Sequence, residues 1–317
     1  MRSVTKNRES FRALLARDSL TVLPGGFSPL EAVMAEHAGF DAFFLAGSQT
    51  AGYLYAVPDA GILGLHDMAG QAGQVAGRAG IPVLVDGDTG YGNAVNVYFA
   101  IQALVRSGAA AVQIEDQEAP KKSGTGAGRR CISVAEALGK YRAAVRARDE
   151  LDPLFSICAR CDAVGAEGGG FEEAVQRCIR YVEDGGADFV WLNSIQTREQ
   201  IAEACERIPA PVMTVWGGQD PGPTIDEYER LGLRIALFPV LASKAGMQAA
   251  WDALHDFRQR GTAALADLAR EAAESPWGKV PLTSLTGADA VRRLEDEFLP
   301  AELKRDYHST FGHTPST

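Results

Sequence analysis

The chain has 317 residues, 46% hydrophobic and 23% charged, with 31 Lys+Arg against 41 Asp+Glu and a formal net charge of −10. That composition is globular and excludes a disordered, collagen-like or disulfide-scaffold protein; the length suits two average domains or one large α/β barrel. The acidic balance gives no reason to expect a nucleic acid or an anionic membrane as partner, whereas a small anionic substrate stays compatible through a local cation or metal.

In chain order, the N-terminal run 1–8 is basic but carries no apolar stretch or cleavage site, and no segment reaches the ~18 apolar residues of a membrane helix, so a cytoplasmic protein is expected. Short, nearly continuous apolar runs then predict eight strands, at 20–24, 41–46, 81–86, 110–115, 154–160, 187–193, 210–215 and 233–238. Strands buried on both faces read this way. Between them helical patterns fall at about 29–38, 67–79, 93–107, 133–148, 171–185, 197–207, 224–231 and 240–259. Asn93, Ser133 and Thr197 are N-cap candidates, with Glu136 three residues after Ser133 making a capping box. Gly39, Gly80, Gly108, Gly186 and Gly232 stand where helices should stop. Eight alternations predict a (β/α)8 TIM barrel over 1–260, with an open Rossmann-like sheet as the competing fold. Residues 261–317 form a tail: a helix at 262–274, a loop at 275–288 with Pro276 and Pro281, and a helix at about 287–297, packing on its own or a partner's barrel.

The five cysteines, Cys131, Cys158, Cys161, Cys178 and Cys205, are odd in number and irregularly spaced, which argues against a disulfide framework. Cys158 and Cys161 form a CxxC, but on a strand residues three apart point to opposite faces, so core-filling thiols are the expectation.

A barrel places its chemistry at the C-terminal strand ends. There the sequence puts Ala46-Gly47-Ser48 after strand 2, Asp86-Gly87-Asp88-Thr89-Gly90 after strand 3, Glu115-Asp116 at strand 4, Arg160-Cys161-Asp162 at strand 5 and Asn193-Ser194 at strand 6. Several carboxylates with no histidine suit a hard cation, Mg²⁺ or Mn²⁺, rather than zinc. Arg160 offers a planar fork for a carboxylate or phosphonate, and Gly47 and Ser48 offer N–H groups and a hydroxyl to an anionic oxygen. Alone, Asp-Gly-Asp is equally compatible with a plain turn, and Glu115 or Asp116 with a cap or salt bridge. Asp86, Asp88, Glu115 and Arg160 on three successive strands are harder to explain without a cation. The Gly-rich, basic connection 118–130 reads as a lid carrying cations over the mouth, or else as a solvated surface loop.

These segments, with Pro120-Lys121-Lys122, Ala38-Gly39-Phe40-Asp41-Ala42 and Val57-Pro58-Asp59, resemble the isocitrate lyase/phosphoenolpyruvate mutase superfamily from about residue 8 to 260, most closely its 2-methylisocitrate lyase-like and carboxyphosphonoenolpyruvate mutase-like members. The resemblance implies Mg²⁺ held by Asp86, Asp88 and Glu115, mostly through water, and a 2-oxo acid or its enolate with its carboxylate on Arg160. It also implies an oxyanion turn at Ala46, Gly47 and Ser48, further substrate contacts from Asp88, Asn193 and Ser194, and a gate loop bearing Lys121 and Ser123 as catalytic residues. It implies a homotetramer, a dimer of dimers, with the last barrel helix exchanged between subunits.

Departures bear on the reaction. Where the lyases carry Cys and His in the gate loop, this chain reads Lys121-Lys122-Ser123-Gly124-Thr125, and a serine hydroxyl is a far weaker acid than a thiol. The lyases' Glu after strand 6 is replaced by Asn193-Ser194, and their Asn and Glu after strand 7 by Val215 and Gly218. The mutases' Lys and Asn are absent at Gln117 and Ser123. The leading expectation is Mg²⁺-dependent C–C cleavage, by retro-aldol reaction or decarboxylation, of a small 2-hydroxy or 2-oxo carboxylate through an enolate; decarboxylation suits the Cys-to-Ser change best. The alternatives are C–P mutase or hydrolase chemistry on a phosphonopyruvate-type substrate, or a non-catalytic metal–carboxylate binder.

Overall fold

The computed structural model describes residues 3–275, 278, 282–307 and 309. Two compact units separate at Met1–Ser243 and Lys244–Thr317.

The first unit contains the expected barrel. Eight parallel strands, β1 Thr21–Gly26, β2 Phe43–Leu45, β3 Val83–Asp86, β4 Ala111–Glu115, β5 Ser156–Cys161, β6 Phe189–Leu192, β7 Val212–Thr214 and β8 Ile235–Phe238, pair in sequence order and close β8 onto β1. The open-sheet alternative is thereby excluded. The outer strand faces pack with the helices in one large cluster containing Val85, Ile157, Ala159, Cys161 and Leu192, while Leu23, Phe44, Leu84, Cys158, Phe189 and Met213 fill the interior. Alternation along each strand divides the two sets, which is why Cys158 and Cys161 lie on opposite faces.

The helices between strands are α2 Pro29–His37, α3 Gly47–Gln49, α4 Leu65–Ala76, α5 Ala94–Arg106, α6 Val134–Leu151, α7 Phe171–Glu183, α8 Arg198–Arg207 and α9 Ile225–Arg230; α10 Leu241–Arg260 follows β8 across the boundary of the units. Asn93, Ser133 and Thr197 accept N-cap hydrogen bonds as expected, although at Ser133 only the bond from Glu136 N forms, so the box is half made. Gly39, Gly108, Gly186 and Gly232 take positive φ at the helix stops. Gly80 does not need it: its N–H donates to Glu36 Oε2 (2.8 Å).

Two elements escape the sequence pattern. Helix α1, Val4–Ala16, lies in the run read only as basic; Ser3 caps it. Its Arg8 is buried, donating to Ala109 O (3.0 Å) and Val105 O and pairing with Asp152, and its Phe11 packs on Phe189 with ring centroids 5.8 Å apart. The short α3 and a wide helical turn at Thr50–Leu54 follow β2.

The second unit contains α11 Thr262–Glu274, α12 Leu282–Thr286 and α13 Ala288–Phe298. Helices α11 and α13 agree with expectation. The predicted 275–288 loop is corrected by α12, where Leu282, Thr283 and Leu285 precede the glycine stop at Gly287 (φ 81°); positions 276–277 and 279–281 lie outside the described residues.

All five cysteines are free. Cys158, Cys161 and Cys178 are fully buried, burial pushes the Cys131 thiol up, and burial pushes Cys205 up to about 12. At pH 8 only about one Cys205 in ten thousand would then be thiolate. Slow labelling by a thiol reagent is expected in the native protein, with five thiols reacting rapidly in guanidinium; one fast native thiol would contradict this.

Candidate active site

Parallel register brings the strand-end residues together. Asp86 on β3 pairs with Gln113 on β4, Glu115 on β4 with Arg160 on β5, and Arg160 with Trp191 on β6. Residues so paired project to the same face, and two-residue spacing places Glu115 directly above Gln113. The result is an inward-facing row of charge at the barrel mouth: Asp86, Glu115 and Arg160 are 5%, 0% and 4% exposed.

Asp86 is tied at both oxygens. Oδ2 accepts from Gly47 N (3.0 Å); Oδ1 accepts from Asp88 N (2.9 Å) and from Gln113. The Gly47 N–H is therefore committed to Asp86, whereas the sequence reading offers it to substrate. Asp88 adopts φ 51°, in the left-handed region that costs a non-glycine residue roughly 1 kcal/mol or more. The turn is closed locally by Thr89 N donating to Asp88 Oδ1 (2.8 Å).

Lys121, 3% exposed, reaches from the loop after β4 into this acidic cluster. Its Nζ lies 2.9 Å from Asp59 Oδ1, 3.0 Å from Asp88 Oδ2 and 4.0 Å from Glu115 Oε1. Burial opposes its charge, but Glu115, Asp86, Asp88 and Asp59 together raise its pKa, so Lys121 is an ammonium. Burial raises the Asp88 pKa against the pull of Lys121. Burial likewise pushes Glu115 well up, against Arg160 and Lys121.

Arg160 is aimed by Asp162, whose Oδ2 accepts from Nε (2.8 Å) and Oδ1 from Nη2 (3.1 Å). The guanidinium carbon stands 4.3 Å from the Trp191 ring centroid, which suits the planar fork of arginine and not a lysine. Arg160 Nη1 lies 2.9 Å from Glu115 Oε2. Burial works against the Arg160 cation, but Asp162 and Glu115 raise its pKa.

That last contact lacks hydrogen-bond alignment, leaving both Glu115 oxygens buried without a hydrogen-bond donor among the described residues. Orphaned carboxylate oxygens beside Asp86 and Asp88 fit a hard divalent cation. Among the described residues no three acidic, His or Cys side chains converge closely enough to ligate one ion together, so any such ion would need water to complete its shell.

Of the remaining expected residues, Ala46 uses its carbonyl to accept from Thr50, and Ser48 Oγ accepts from Gln49 Nε2 (3.3 Å). Asn193 Nδ2 donates to Asp162 Oδ1 (2.6 Å) and to Gly124 O (3.0 Å), and Ser194 Oγ accepts from Arg129 (3.2 Å). Both thus brace the loop and the arginine support. Ser123 is half-buried in the same loop, its carbonyl accepting from Gly126 N (2.7 Å). Asp116 is a fully buried structural group, accepting from Tyr181 OH (2.7 Å) and Asp162 N (2.9 Å).

Sequence reasoning did not assign roles to Asp59, Asp162, Arg129 or Trp191. Asp59 and Asp162 stand inside motifs that carry the resemblance, so a signal existed; Arg129 and Trp191 are recognisable only from three-dimensional placement.

A closed parallel barrel whose strand ends gather buried carboxylates and two buried cations defines an enzyme of the TIM-barrel class acting on a small anion. The sequence pattern of phosphoenolpyruvate phosphomutase matches residues 11–258. A 2-methylisocitrate lyase of Aeropyrum pernix is 39% identical over 79% of this chain and 80% of its own length. An oxaloacetate decarboxylase of Pseudomonas fluorescens is 35% identical over 80% and 85%. The structure of a phosphonopyruvate hydrolase with oxalate and Mg²⁺ is 29% identical, with a TM-score of 0.80 over 93% of this chain and 99% of that one. The chain belongs to the phosphoenolpyruvate mutase/isocitrate lyase superfamily.

Proposed function

We propose that this protein is a magnesium-dependent carbon–carbon lyase that cleaves a small 2-oxo or 2-hydroxy carboxylate through an enolate, with decarboxylation of a 2-oxo acid as the favoured reaction. The observation that carries this reading is the pair of buried cations, Arg160 and Lys121, standing 2.9 Å and 4.0 Å from the buried Glu115. Lyase and decarboxylase relatives support it.

Asp86, Asp88 and Glu115 would hold the metal. When bound, the ion supplies electrostatic stabilisation of negative charge developing beside a carboxylate. Arg160 keeps N–H directions beyond the two given to Asp162 and receives the substrate carboxylate. Lys121 Nζ, held protonated, adds positive charge and cannot serve as the base. The loop bearing Lys121, Ser123 and Gly124 covers the arginine and excludes water while the bond breaks. No thiol or imidazole stands at Ser123 or Thr125, and decarboxylation asks least of them because water can deliver the final proton.

The test is turnover of a panel of 2-oxo and 2-hydroxy acids, oxaloacetate and 2-methylisocitrate included, with Mg²⁺ and with EDTA. Metal-dependent release of CO2 or of a 2-oxo product is expected; no consumption of any acid would reject the reading. Phosphorus NMR with phosphonopyruvate addresses the C–P alternative prompted by Asn193-Ser194, and a changed spectrum without C–C cleavage would replace the lyase reading.

The same reading includes a homotetramer exchanging α10 between subunits, supported by the exposure of Trp251, Leu254 and Phe257 on that helix; light scattering at a monomer mass would reject it. A cytoplasmic setting is supported by the five free thiols. No described helix is long and apolar enough to cross a membrane.

A further inference from the structure

The segment between β4 and α6 is seated by a side chain of its own. Arg129 is 5% exposed although it lies in a Gly-rich connection. Its Nη1 donates to Gly124 O (2.6 Å), Asp162 Oδ1 (2.8 Å) and Ser194 Oγ (3.2 Å), and its Nη2 also reaches Ser194 Oγ (3.2 Å). The bond to Gly124 closes residues 124–129 into a ring. Asp162 Oδ1 is the hub, accepting from Arg129, from Asn193 and from Arg160.

The surroundings are shaped for this guanidinium. A Cβ at Gly165 would collide with Arg129 Nη2. Ser194 is held at φ 66°, a conformation L-residues avoid, in the position where its hydroxyl meets the fork. At the other end of the ring, a Cβ at Gly124 would lie 2.6 Å from Arg160 Nη2, so the loop backbone rests directly on the substrate arginine. The base of the loop is held independently: Glu167 N donates to Arg129 O (2.9 Å), Glu118 N to Arg130 O (2.8 Å) and Lys122 N to Gln117 Oε1 (3.1 Å).

We propose that Arg129 is a positioning residue: its guanidinium ties Gly124 to Asp162, the carboxylate that also aims Arg160, so that loop seating and orientation of the substrate arginine are one event. This rests on Arg160 as the carboxylate receptor. A loose loop admits water and a loose Arg160 misaligns the substrate, so the loss falls on turnover more than on binding. Arginine is required because one planar fork must meet Gly124, Asp162 and Ser194 together, which an ammonium does not reproduce.

The experiment uses the full chain. Lys122 is exposed on the loop, so limited trypsin cleavage after it reports loop seating with no substrate present. In Arg129→Met, cleavage after Lys122 should accelerate about tenfold or more, because the opening equilibrium shifts. On the acid that the wild type consumes, kcat should fall about a hundredfold with KM changed less than about threefold. Arg129→Lys should recover only part of each effect. Should Arg129→Met fail to fold, Gly124→Ala keeps the guanidinium but lifts the ring off Arg160, and must show the same accelerated cleavage with a native circular dichroism spectrum. Unchanged cleavage after Lys122 in a folded variant, or a rise in KM alone, would overturn the proposal. The cleavage arm needs no turnover, so it judges the latch even if every acid in the panel is refused and the lyase reading falls.

Discussion

Replacing Arg160 with methionine is expected to lower turnover by about a thousandfold or more and to destabilise the fold by about 3–5 kcal/mol. Both effects follow from its position between two fully buried carboxylates. Asp162 loses two hydrogen bonds, and Glu115 loses the cation 2.9 Å away. Lys121 remains near Glu115 and Arg129 beside Asp162, so the loss is large without leaving either carboxylate wholly uncompensated. The acid side adds a second signature. Burial raises the Asp162 pKa, but Arg160 and the other donors outweigh it, and the folded value lies below the ordinary 3.8. A depressed carboxylate stabilises the fold above its unfolded pKa, and the contribution is lost as pH falls through the folded value. Without Arg160 the folded pKa rises, so acid unfolding should begin at higher pH. Urea melts at neutral pH, an acid titration followed by circular dichroism and steady-state kinetics test the three parts. Arg160→Lys should retain more stability than methionine but little activity, since an ammonium cannot hold both Asp162 oxygens against Trp191. Wild-type kinetics in either folded variant would remove Arg160 from the reaction.

The same three strands show what a linear reading recovers and what it misses. Asp86, Glu115 and Arg160 were legible because each ends a strand buried on both faces, and strand ends are where a barrel puts its chemistry. The glycine stops and the three N-caps were legible because they act within a few residues of sequence. Helix α1 was not: its two buried apolar residues, Phe11 and Leu14, are too few to give a period, and its buried Arg8 reads as solvated until Val105 and Ala109 are brought beneath it. Arg129 failed for the same physical reason. A buried charge is recognised by its partners, and those of Arg129 stand 5, 33 and 65 positions away. Asn193 and Ser194, expected as substrate contacts, also meet these buried charges: Asn193 donates to Asp162 and Gly124, and Ser194 accepts from Arg129.

Asp86→Asn is expected to leave the fold standing while lowering turnover about a thousandfold and removing the thermal stabilisation by Mg²⁺. The distinction depends on what Asp86 does without a metal. Its carboxylate accepts from Gly47, from Asp88 and from Gln113, joining the ends of β2, β3 and β4. An asparagine carbonyl oxygen can still accept from part of this set, so the strained turn at Asp88 keeps a support that alanine would delete. The amide cannot supply negative charge, so a hard divalent ion held at the strand ends, with water completing its shell, would lose the Asp86 carboxylate. A ligand that binds only the folded state stabilises it by about 2.7 kcal/mol at a hundred times its Kd, which a melting curve resolves readily. The wild type should therefore melt higher with millimolar Mg²⁺ than with EDTA, and Asp86→Asn should melt alike in both. Asp86→Ala should lose the Mg²⁺ response and also melt lower in EDTA, because Gly47, Asp88 and Gln113 then lose their acceptor. An Asn variant that keeps the full Mg²⁺ shift would mean that Asp86 is only a structural tie between strand ends, and the metal-holding role would pass to Asp88 and Glu115.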